Sequence, residues 1–334
     1  MNSAVADLIT GFKRASFAAM LAGVAALVAM PQTASAQAYP NKPIRMIIPF
    51  APGGGTDILG RIIAQKLGEA VGQQVVVENR PGAGGKIGTT LVAAAPGDGY
   101  TIMMVSSSHS VNAAIYKLDF DPVKDLAAVI QIAAVPTVLT ASPNFPATNV
   151  QELVRLAKAK PGTLTFASSG EGSSPHLAGE LLALLADAKM IHVPYKGGSP
   201  AMTDVMGGQV NLLFATVTQT ASIIKSGKLK AIAISGTRRA KVLPDVPTFT
   251  ESGLLGHEMS NWFGILAPGT TPKPLIAELN KQINALLSNP EVRAKLDAEG
   301  AEPVGGLADD FDKQIRSEID KFKRIVSRAN IKVE

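Results

Sequence analysis

From about residue 44 onwards, segments with the apolar pattern of strands alternate with segments with the apolar pattern of helices. Residues 44–49, 74–78 and 100–105 are short runs rich in strand-forming side chains. Between the first two runs, apolar side chains recur at helical spacing, namely Leu59, Ile62, Ile63, Leu67 and Val71. A second helical stretch, with Ile87 and Leu91 on its apolar side, separates the last two runs. This alternation predicts an α/β fold with a parallel sheet covered by helices.

The same rhythm starts again in the second half of the chain. It predicts helices at 153–159, 176–186 and 200–206, and strands at 164–167, 190–193, 210–214 and 231–235. Farther on, apolar side chains at helical spacing mark helices around 275–286 and 311–326. Between them, Asn289-Pro290 supplies an N-cap followed by proline in the first turn. We expect two similar α/β halves, with the C-terminal helices packed against the first one.

The first 36 residues have the pattern of a cleavable export signal. Lys13 and Arg14 precede a small and apolar run at 15–30, and Ala34-Ser35-Ala36 offers the small residues that signal peptidase requires. A cut after Ala38 is an alternative. Retention as a membrane anchor is less favoured, because the run is shorter than the roughly 20 residues of a spanning helix. We therefore expect a periplasmic protein.

Composition narrows the classes of function. The sequence has no cysteine, which excludes a thiolate nucleophile, a cysteine metal site and a lipid anchor on an N-terminal cysteine. Without the export signal, 30 basic and 26 acidic side chains remain, dispersed along 298 residues. Because the chain has no basic block, nucleic acid is not an expected partner. The mildly positive net charge suits a small anionic ligand, and the length suits two lobes.

The most informative stretch is the loop at 49–57, between the first predicted strand and the first predicted helix. Ligands of open α/β folds bind at this edge of the sheet, and glycines let a ligand approach the backbone N–H groups. The helix start also favours negative charge. We therefore expect a carboxylate to be held by this loop, through Phe50, Ala51, Pro52, Gly53, Gly54 and Asp57. A plain tight turn is the alternative, and for Asp57 a helix-dipole or capping contact is a second one.

Three further loops follow predicted strands and carry polar side chains. They lie at 106–109, 168–174 and 195–198, and their candidate ligand contacts are Ser107, His109, Ser168, Ser169, Ser173, Ser174, Tyr195 and Lys196. Each loop taken alone is also explained as an ordinary solvated loop. Because the strands of a parallel sheet end at one edge, four such loops together predict a shared binding cleft.

Signs of catalysis or of a bound cofactor are weak. The sequence has no G-x-S-x-G nucleophile motif, and its four histidines show no metal-ligand spacing. The glycines at 53–55 lack the full dinucleotide fingerprint, and Gly85-Lys86 is followed by Ile87 rather than the Ser or Thr of a phosphate-binding loop. We expect no enzyme activity, no metal and no cofactor. A hydrolase that uses Ser174 and His176 stays as an alternative.

Together these segments resemble the Bug-type solute-binding proteins, the tricarboxylate-binding receptor family of tripartite tricarboxylate transporters. The resemblance covers essentially the whole predicted mature chain, in order. Its motifs lie at 49–57, 77–85, 98–101, 173–180, 193–197, 245–248, 261–264 and 289–292. A single one of these motifs is weak evidence for the family, whereas the whole set in this order is specific for it.

The resemblance implies a two-lobed, Venus-flytrap fold of type II without catalytic activity. It places the first lobe at 37–140 plus 263–334, the second at 141–262, and the hinge crossings near 133–143 and 262–268. It implies that a monomer captures a small organic acid and delivers it to a membrane permease. The acid would be a dicarboxylate or tricarboxylate, an aromatic acid or an acidic amino acid. A periplasmic sensor that signals to a histidine kinase is an alternative that the sequence does not separate from transport.

One stretch departs from the family pattern. Relatives commonly carry aspartates where this chain has Asn211 and Ala215. The loss of two acids leaves the expected fold intact, but it changes what the pocket accepts, since a less acidic pocket suits a bulkier or more anionic acid. Thr216 and Thr218 become candidate ligand contacts there.

Overall fold

The computed structural model describes residues 39–329 of the chain, so the predicted export signal at 1–36 lies outside the described residues. The strands are β1 (Ile44–Ile48), β2 (Val75–Asn79), β3 (Thr101–Ser106), β4 (Leu126–Ala141), β5 (Thr165–Ser168), β6 (Ile191–Pro194), β7 (Leu212–Thr216), β8 (Lys230–Ser235), β9 (Ser260–Pro268) and β10 (Glu302–Pro303). The helices are α1 (Gly55–Val71), α2 (Lys86–Ala93), α3 (Ser108–Ile115), α4 (Val150–Ala159), α5 (Ser174–Ala186), α6 (Gly198–Met206), α7 (Val217–Lys225), α8 (Lys273–Ser288), α9 (Pro290–Ala298) and α10 (Ala308–Ala329). Among the helices within residues 39–329, none has the length and hydropathy of a membrane-spanning segment.

The strands follow the order β2-β1-β3-β9-β4-β7-β5-β6, with β8 and β10 also paired to β4. β1 pairs in parallel with β2 and β3, and β5 pairs in parallel with β6 and β7. The parallel pairing predicted for these strands is confirmed. β4 and β9, in contrast, run antiparallel to their neighbours. The fold is α/β with two lobes, as the sequence predicts.

β4 belongs to both lobes. Residues 126–136 of this strand pair with β9, and residues 137–141 pair with β7 and β8. The chain therefore passes from one lobe to the other within a single strand, without a loop. The exact lobe boundaries and hinge segments stay predictions.

The C-terminal helix packs on both lobes. Phe311, Ile315 and Ile319 follow one another at helical spacing and are buried in the core of the first lobe. There Phe311 meets Trp262 of β9 edge to face, with ring centroids 5.0 Å apart. Farther along the same stripe, Phe322 joins the core of the second lobe instead. The apolar face of the helix thus packs against the first lobe, as expected, and its far end also reaches the second lobe, because the helix is long enough to extend across.

Five helices begin close behind the end of a strand. β1 leads into α1, β3 into α3, β5 into α5, β6 into α6 and β7 into α7. In open α/β sheets the carboxyl ends of parallel strands meet at one edge, so the helices that follow them start there too. The fold thus gathers five helix N-termini where the lobes face each other.

Candidate ligand-binding cleft

A cleft between the lobes encloses about 420 Å³ of space, part of it open to solvent. From the side of β1, β3 and β9, the lining residues are Phe50, Gly54, Gly55, Thr56, Ser106, Ser108, Asn261 and Phe263. From the side of β5, β6 and β7, they are Ser169, Pro175, Gly198, Phe214, Ala215, Thr216 and Gln219. Among these lining residues of the described chain, none has a charged side chain. The wall combines neutral hydrogen-bonding groups with three phenylalanine rings.

All five of the helices described above begin at this cleft. The lining residues in their first turns are Gly55 and Thr56 of α1, Ser108 of α3, Pro175 of α5, Gly198 of α6 and Gln219 of α7. A helix N-terminus carries roughly half a positive elementary charge and leaves its first N–H groups without intrahelical partners. The cleft therefore favours an anion even though its lining has no cationic side chain.

The loop before α1 is shaped by Asp57. The carboxylate accepts hydrogen bonds from the backbone N–H of Gly53, the guanidinium of Arg61 and the side-chain amide of Asn79, each at 2.9 Å. Burial alone would raise the pKa of Asp57, but these hydrogen bonds outweigh it and hold the pKa below its usual value. Gly53 adopts φ +79°, a conformation that favours glycine. Asp57 thus stabilises the loop from behind, which matches its interpretation as a first-turn structural acid.

Hydrogen bonds between loops hold the two lobes together. The N–H of Ala51 donates to the carbonyl oxygen of Lys196 (3.2 Å), and the hydroxyl of Ser199 donates to the carbonyl oxygen of Pro52 (2.8 Å). On the other side of the cleft, the hydroxyl oxygens of Ser107 and Ser174 lie 2.7 Å apart. The N–H of Ser174 also donates to the hydroxyl of Ser108 (3.0 Å). These contacts describe a closed conformation.

Several predicted ligand contacts are occupied by partners within the protein. Ser173 caps α5 and donates to the carbonyl oxygen of Gly170 (2.6 Å), and the hydroxyl of Ser168 lies 2.7 Å from Nε2 of His192. His109 contacts the carbonyl oxygen of Pro122 (2.9 Å), and burial lowers its pKa to about 4. Tyr195 donates to Asp204 (2.6 Å); burial, together with that carboxylate, raises the pKa of the phenol to about 12. These side chains support the loops around the cleft and do not line it.

The predicted site residues thus fall into three groups. Four line the cleft: Phe50, Gly54, Ser169 and Thr216. Five take part in contacts between the lobes: Ala51, Pro52, Ser107, Ser174 and Lys196. Six make contacts within the loops or with the elements behind them: Gly53, Asp57, His109, Ser168, Ser173 and Tyr195. The predicted loops border the cleft, and four of the fifteen predicted residues line it. Which of them contact a ligand stays a prediction.

Two lining side chains bring buried polar atoms without a partner among the described residues. They are the hydroxyl of Thr216 and the amide nitrogen of Gln219, in residues that are 6% and 7% exposed. The hydroxyl of Thr218, the other candidate contact in this stretch, is also buried without a partner, but it does not line the cleft. A buried donor without an acceptor costs about 1–3 kcal/mol, so these atoms favour a ligand that supplies one. Gln219 thus lines the cleft, although nothing in the sequence around it predicts this.

Two glycines let these side chains approach the backbone closely. A Cβ added at Gly55 would lie 2.4 Å from the hydroxyl oxygen of Thr216, across the cleft. A Cβ added at Gly198 would lie 2.3 Å from the amide oxygen of Gln219. A side chain at the first position of α1 or α6 would therefore displace Thr216 or Gln219 from the position observed in the closed cleft.

The hydrolase alternative has no geometric support. The hydroxyl of Ser174 contacts Ser107 and Ser108. The ring of His176 accepts from the N–H of Gly172 (3.2 Å) and lies 3.7 Å from Glu180. Within the described residues, no hydrogen bond joins Ser174 to His176, so the two do not form a nucleophile–base pair.

A larger cavity of about 770 Å³ lies where β4 passes between the lobes, beside the segments 235–241 and 297–302. On its rim, Arg238 pairs with Glu302 (3.0 Å) and Arg239 with Glu251 (2.9 Å). The predicted ligand contacts all lie elsewhere. The smaller cleft, where the loops and helix starts converge, is therefore the candidate binding site.

Two α/β lobes that close over a cleft rich in helix N-termini define the class of two-lobed periplasmic solute-binding proteins. The chain belongs to the tripartite tricarboxylate transporter family of receptors, whose family model matches residues 59–331. This family consists of solute receptors and is not an enzyme class.

Relatives and solved structures agree with this assignment. BugT of Bordetella pertussis (strain Tohama I) is 38% identical over 317 residues, which are 94% of this chain and 95% of that protein. The periplasmic binding protein BugD is similar with a TM-score of 0.85 at 35% identity, covering 89% of this chain and 100% of BugD. An R. palustris protein solved with adipate has a TM-score of 0.85 at 33% identity, with 88% of this chain and 99% of that one covered. MatC from Rhodopseudomonas palustris, with bound malate, has a TM-score of 0.83 at 31% identity, covering 86% of this chain and 100% of MatC.

Proposed function

We propose that the protein captures a small organic acid in the cleft between its lobes and delivers it to integral-membrane permease subunits. The observation that carries the proposal is the convergence of five helix N-termini on a cleft whose described lining has no charged side chain. An anion in such a site is held by backbone N–H groups and neutral donors. Its carboxylate is proposed to lie at the start of α1, beside Gly54 and Thr56.

The shape of the cleft suits an acid with a short apolar body. Phe50 and Phe263 line one side and Phe214 the other, so the carbon skeleton of a ligand would contact aromatic rings. Adipate and malate, the acids held by two similar proteins, are of this kind.

The cellular setting follows from the family. The family description and the periplasmic relative BugD support a setting in the periplasm, beside a membrane transporter; we propose this setting for the chain, as a monomer exported by its signal at 1–36. Ligand binding is proposed to bias a hinge movement about the segments near 133–143 and 262–268. A ligand that contacts both lobes stabilises the closed form over the open one.

The test is a thermal-unfolding screen against dicarboxylates, tricarboxylates, aromatic acids and amino acids. A ligand that binds only the folded protein adds roughly 2.7 kcal/mol of stability at about 100 times its Kd. We expect one or a few acids to stabilise the protein, to bind at one per chain in calorimetry, and to be recovered unchanged. A screen in which no acid binds would contradict the proposal. Turnover that is abolished in Ser174→Ala would support the hydrolase instead.

A variant at the loop tests where the acid binds. Gly54 has φ −79° and ψ 166°, and a Cβ there would meet nothing nearer than 3.7 Å, so valine is compatible with the backbone. We expect Gly54→Val to abolish binding, because the side chain covers the N–H groups at the start of α1, while the unfolding midpoint of the ligand-free protein is kept. Gly207→Val is the control, at a glycine with φ −76° outside the cleft. Unchanged affinity in Gly54→Val would place the carboxylate elsewhere.

A further inference from the structure

We infer that Thr216 and Gln219 make this cleft selective for acids that carry hydrogen-bond acceptors and no ammonium group, so that amino acids are rejected. The inference rests on the proposed capture function and narrows the class of ligand. It follows from the distribution of donors and charges around the cleft.

An ammonium group would find no counter-ion in the cleft. The lining residues of the described chain include no Asp or Glu. The acid closest in sequence to the lining is Asp57, and its carboxylate is engaged by Gly53, Arg61 and Asn79 behind the loop. A charge that is buried without a partner is strongly disfavoured. The positive ends of five helices add to this penalty for a cation, whereas they favour an anion.

The side of the cleft formed by β7 and α7 instead offers donors. The hydroxyl of Thr216 and the amide nitrogen of Gln219 are both buried and lack an acceptor among the described residues. A carboxylate, carbonyl or hydroxyl oxygen on the ligand would accept from them. The amide of Gln219 also has an oxygen, which packs close to Gly198. Even if the amide were turned over, a neutral carbonyl oxygen would not replace the carboxylate that an ammonium group needs when buried.

Ligands that differ in a single group test the inference. Malate and aspartate share one dicarboxylate skeleton and differ only in a hydroxyl or an ammonium group, as do 2-hydroxyglutarate and glutamate. Phenyllactate and phenylalanine provide the corresponding pair of aromatic acids. We expect calorimetry to show that each hydroxy acid that binds does so at least about tenfold more tightly than the matching amino acid. One buried polar group without a partner costs enough free energy to cause a difference of this size. Equal affinities within every pair that binds would overturn the inference and leave the capture function intact.

Substitution of Gln219 tests the residue itself. Gln219→Glu keeps the shape of the side chain and adds the missing carboxylate. We expect it to weaken hydroxy-acid binding at least about tenfold and to strengthen binding of the matching amino acid, which reverses or removes the preference. Gln219→Met, which has neither charge nor donor, should weaken the hydroxy acid without strengthening the amino acid. Unfolding midpoints of the ligand-free variants show that each one is folded.

The outcomes separate the inference from the function on which it rests. If Gln219→Glu changes both members of a pair by the same factor, Gln219 does not set the selectivity and the inference is wrong. If wild-type protein binds no acid of any kind, the capture function fails and the inference fails with it. If the wild type prefers amino acids, the capture function stands and the inference alone is overturned.

Discussion

Burial favours the neutral form of three histidines in this protein, of which His109 and His257 are buried and His192 is half-buried. Burial lowers the pKa of His109 and of His257 to about 4, although each ring also contacts a carbonyl oxygen, which acts in the opposite direction. Burial and the neighbouring His176 together lower the pKa of His192 to about 3. The rings of His192 and His176 stack with centroids 3.9 Å apart. In each case the folded protein resists protonation at a pH where the unfolded chain accepts it.

We therefore expect the free energy of unfolding to fall as the pH drops below about 6.5, the ordinary histidine value. Between that pH and the folded pKa of about 4 for His109 and His257, the unfolded chain binds more protons than the folded one. Stability is then lost as pH decreases, at about 1.4 kcal/mol per pH unit for each buried histidine. Urea unfolding at pH 7.5, 6.0 and 5.0 measures this slope.

His109→Gln provides the matched comparison. Glutamine keeps a donor for the carbonyl oxygen of Pro122 but does not titrate. The slope of stability against pH between about 6 and 4.5 should fall by roughly 1.4 kcal/mol per pH unit, the contribution of one group. If the slope is the same in both proteins, His109 binds its proton equally well in the folded and the unfolded state, and its burial does not contribute to the pH dependence.

At the scale of helices and strands, the closed cleft depends on how α1 meets β7. Gly55 is the first residue of α1, and a Cβ there would lie 2.4 Å from the hydroxyl oxygen of Thr216. Gly55→Ala should favour the helix by up to about 1 kcal/mol, since glycine is the poorer helix former. The same methyl group should oppose closure. We expect unchanged or higher stability of the ligand-free protein together with an affinity at least about tenfold lower, a loss of about 1.4 kcal/mol.

Two further variants separate closure from a general effect of alanine. Gly207→Ala, at the end of α6 and away from the cleft, should leave the affinity unchanged, because a Cβ there meets nothing nearer than 3.5 Å. Removing the opposing hydroxyl in a Gly55→Ala/Thr216→Ala double variant should relieve the clash, so the two affinity losses should not add. Fully additive losses would show that the methyl group does not act through Thr216.

Most of the elements around the cleft were predictable, because each lobe repeats a strand, a polar loop and a helix with ordinary periodicity. Four elements were not, namely α7, α3, β4 and β9. α7 begins Val217-Thr218-Gln219, and its β-branched and polar residues give no helical signal, so Gln219 was missed. The serines at 106–108 look like a loop, yet Ser108 and His109 form the first turn of α3.

The third missed element is β4, and the reason is its position. Most of its 16 residues are buried, so polar and apolar side chains do not alternate along it. It also contains Pro136, which argues against a central strand. The proline is tolerated where the strand changes partners, from β9 to β7 and β8. A strand shared by two lobes follows from tertiary pairing, and local sequence does not encode such pairing.

The candidate site was predictable to the level of loops and not of side chains. Glycines and serines after strands mark places where a ligand can reach the backbone, and those loops do surround the cleft. Which hydroxyl points inward depends on its neighbours. Ser168 and Ser173 bond to their own loop, whereas Ser169, directly after β5, lines the cleft. Such choices are made by contacts between distant segments, as for Ser107 with Asn261.

At the scale of the whole molecule, the two lobes are connected in ways that constrain their relative movement. β4 runs through both lobes, and α10 places Phe311 in one core and Phe322 in the other. Opposite these connections, the closed cleft is held by a small number of hydrogen bonds between loops. Such bonds contribute only about 0.5–1.5 kcal/mol each. We therefore expect the lobes to separate on the cleft side while the connected side stays packed.

A disulfide across the cleft tests whether this separation is required for ligand entry. The hydroxyl oxygens of Ser107 and Ser174 lie 2.7 Å apart, and a disulfide needs sulfur atoms about 2.05 Å apart, so Ser107→Cys/Ser174→Cys should form one with a small shift. The chain has no other cysteine. Oxidised without ligand, the closed protein should bind at least about tenfold more slowly than the reduced one, because the open form is no longer populated. Oxidised after ligand is bound, it should retain the ligand through dialysis and release it on reduction.

The single variant Ser107→Cys controls for loss of the hydroxyl. Equal association rates in the oxidised and reduced double variant would mean that the acid reaches the cleft without movement of the lobes.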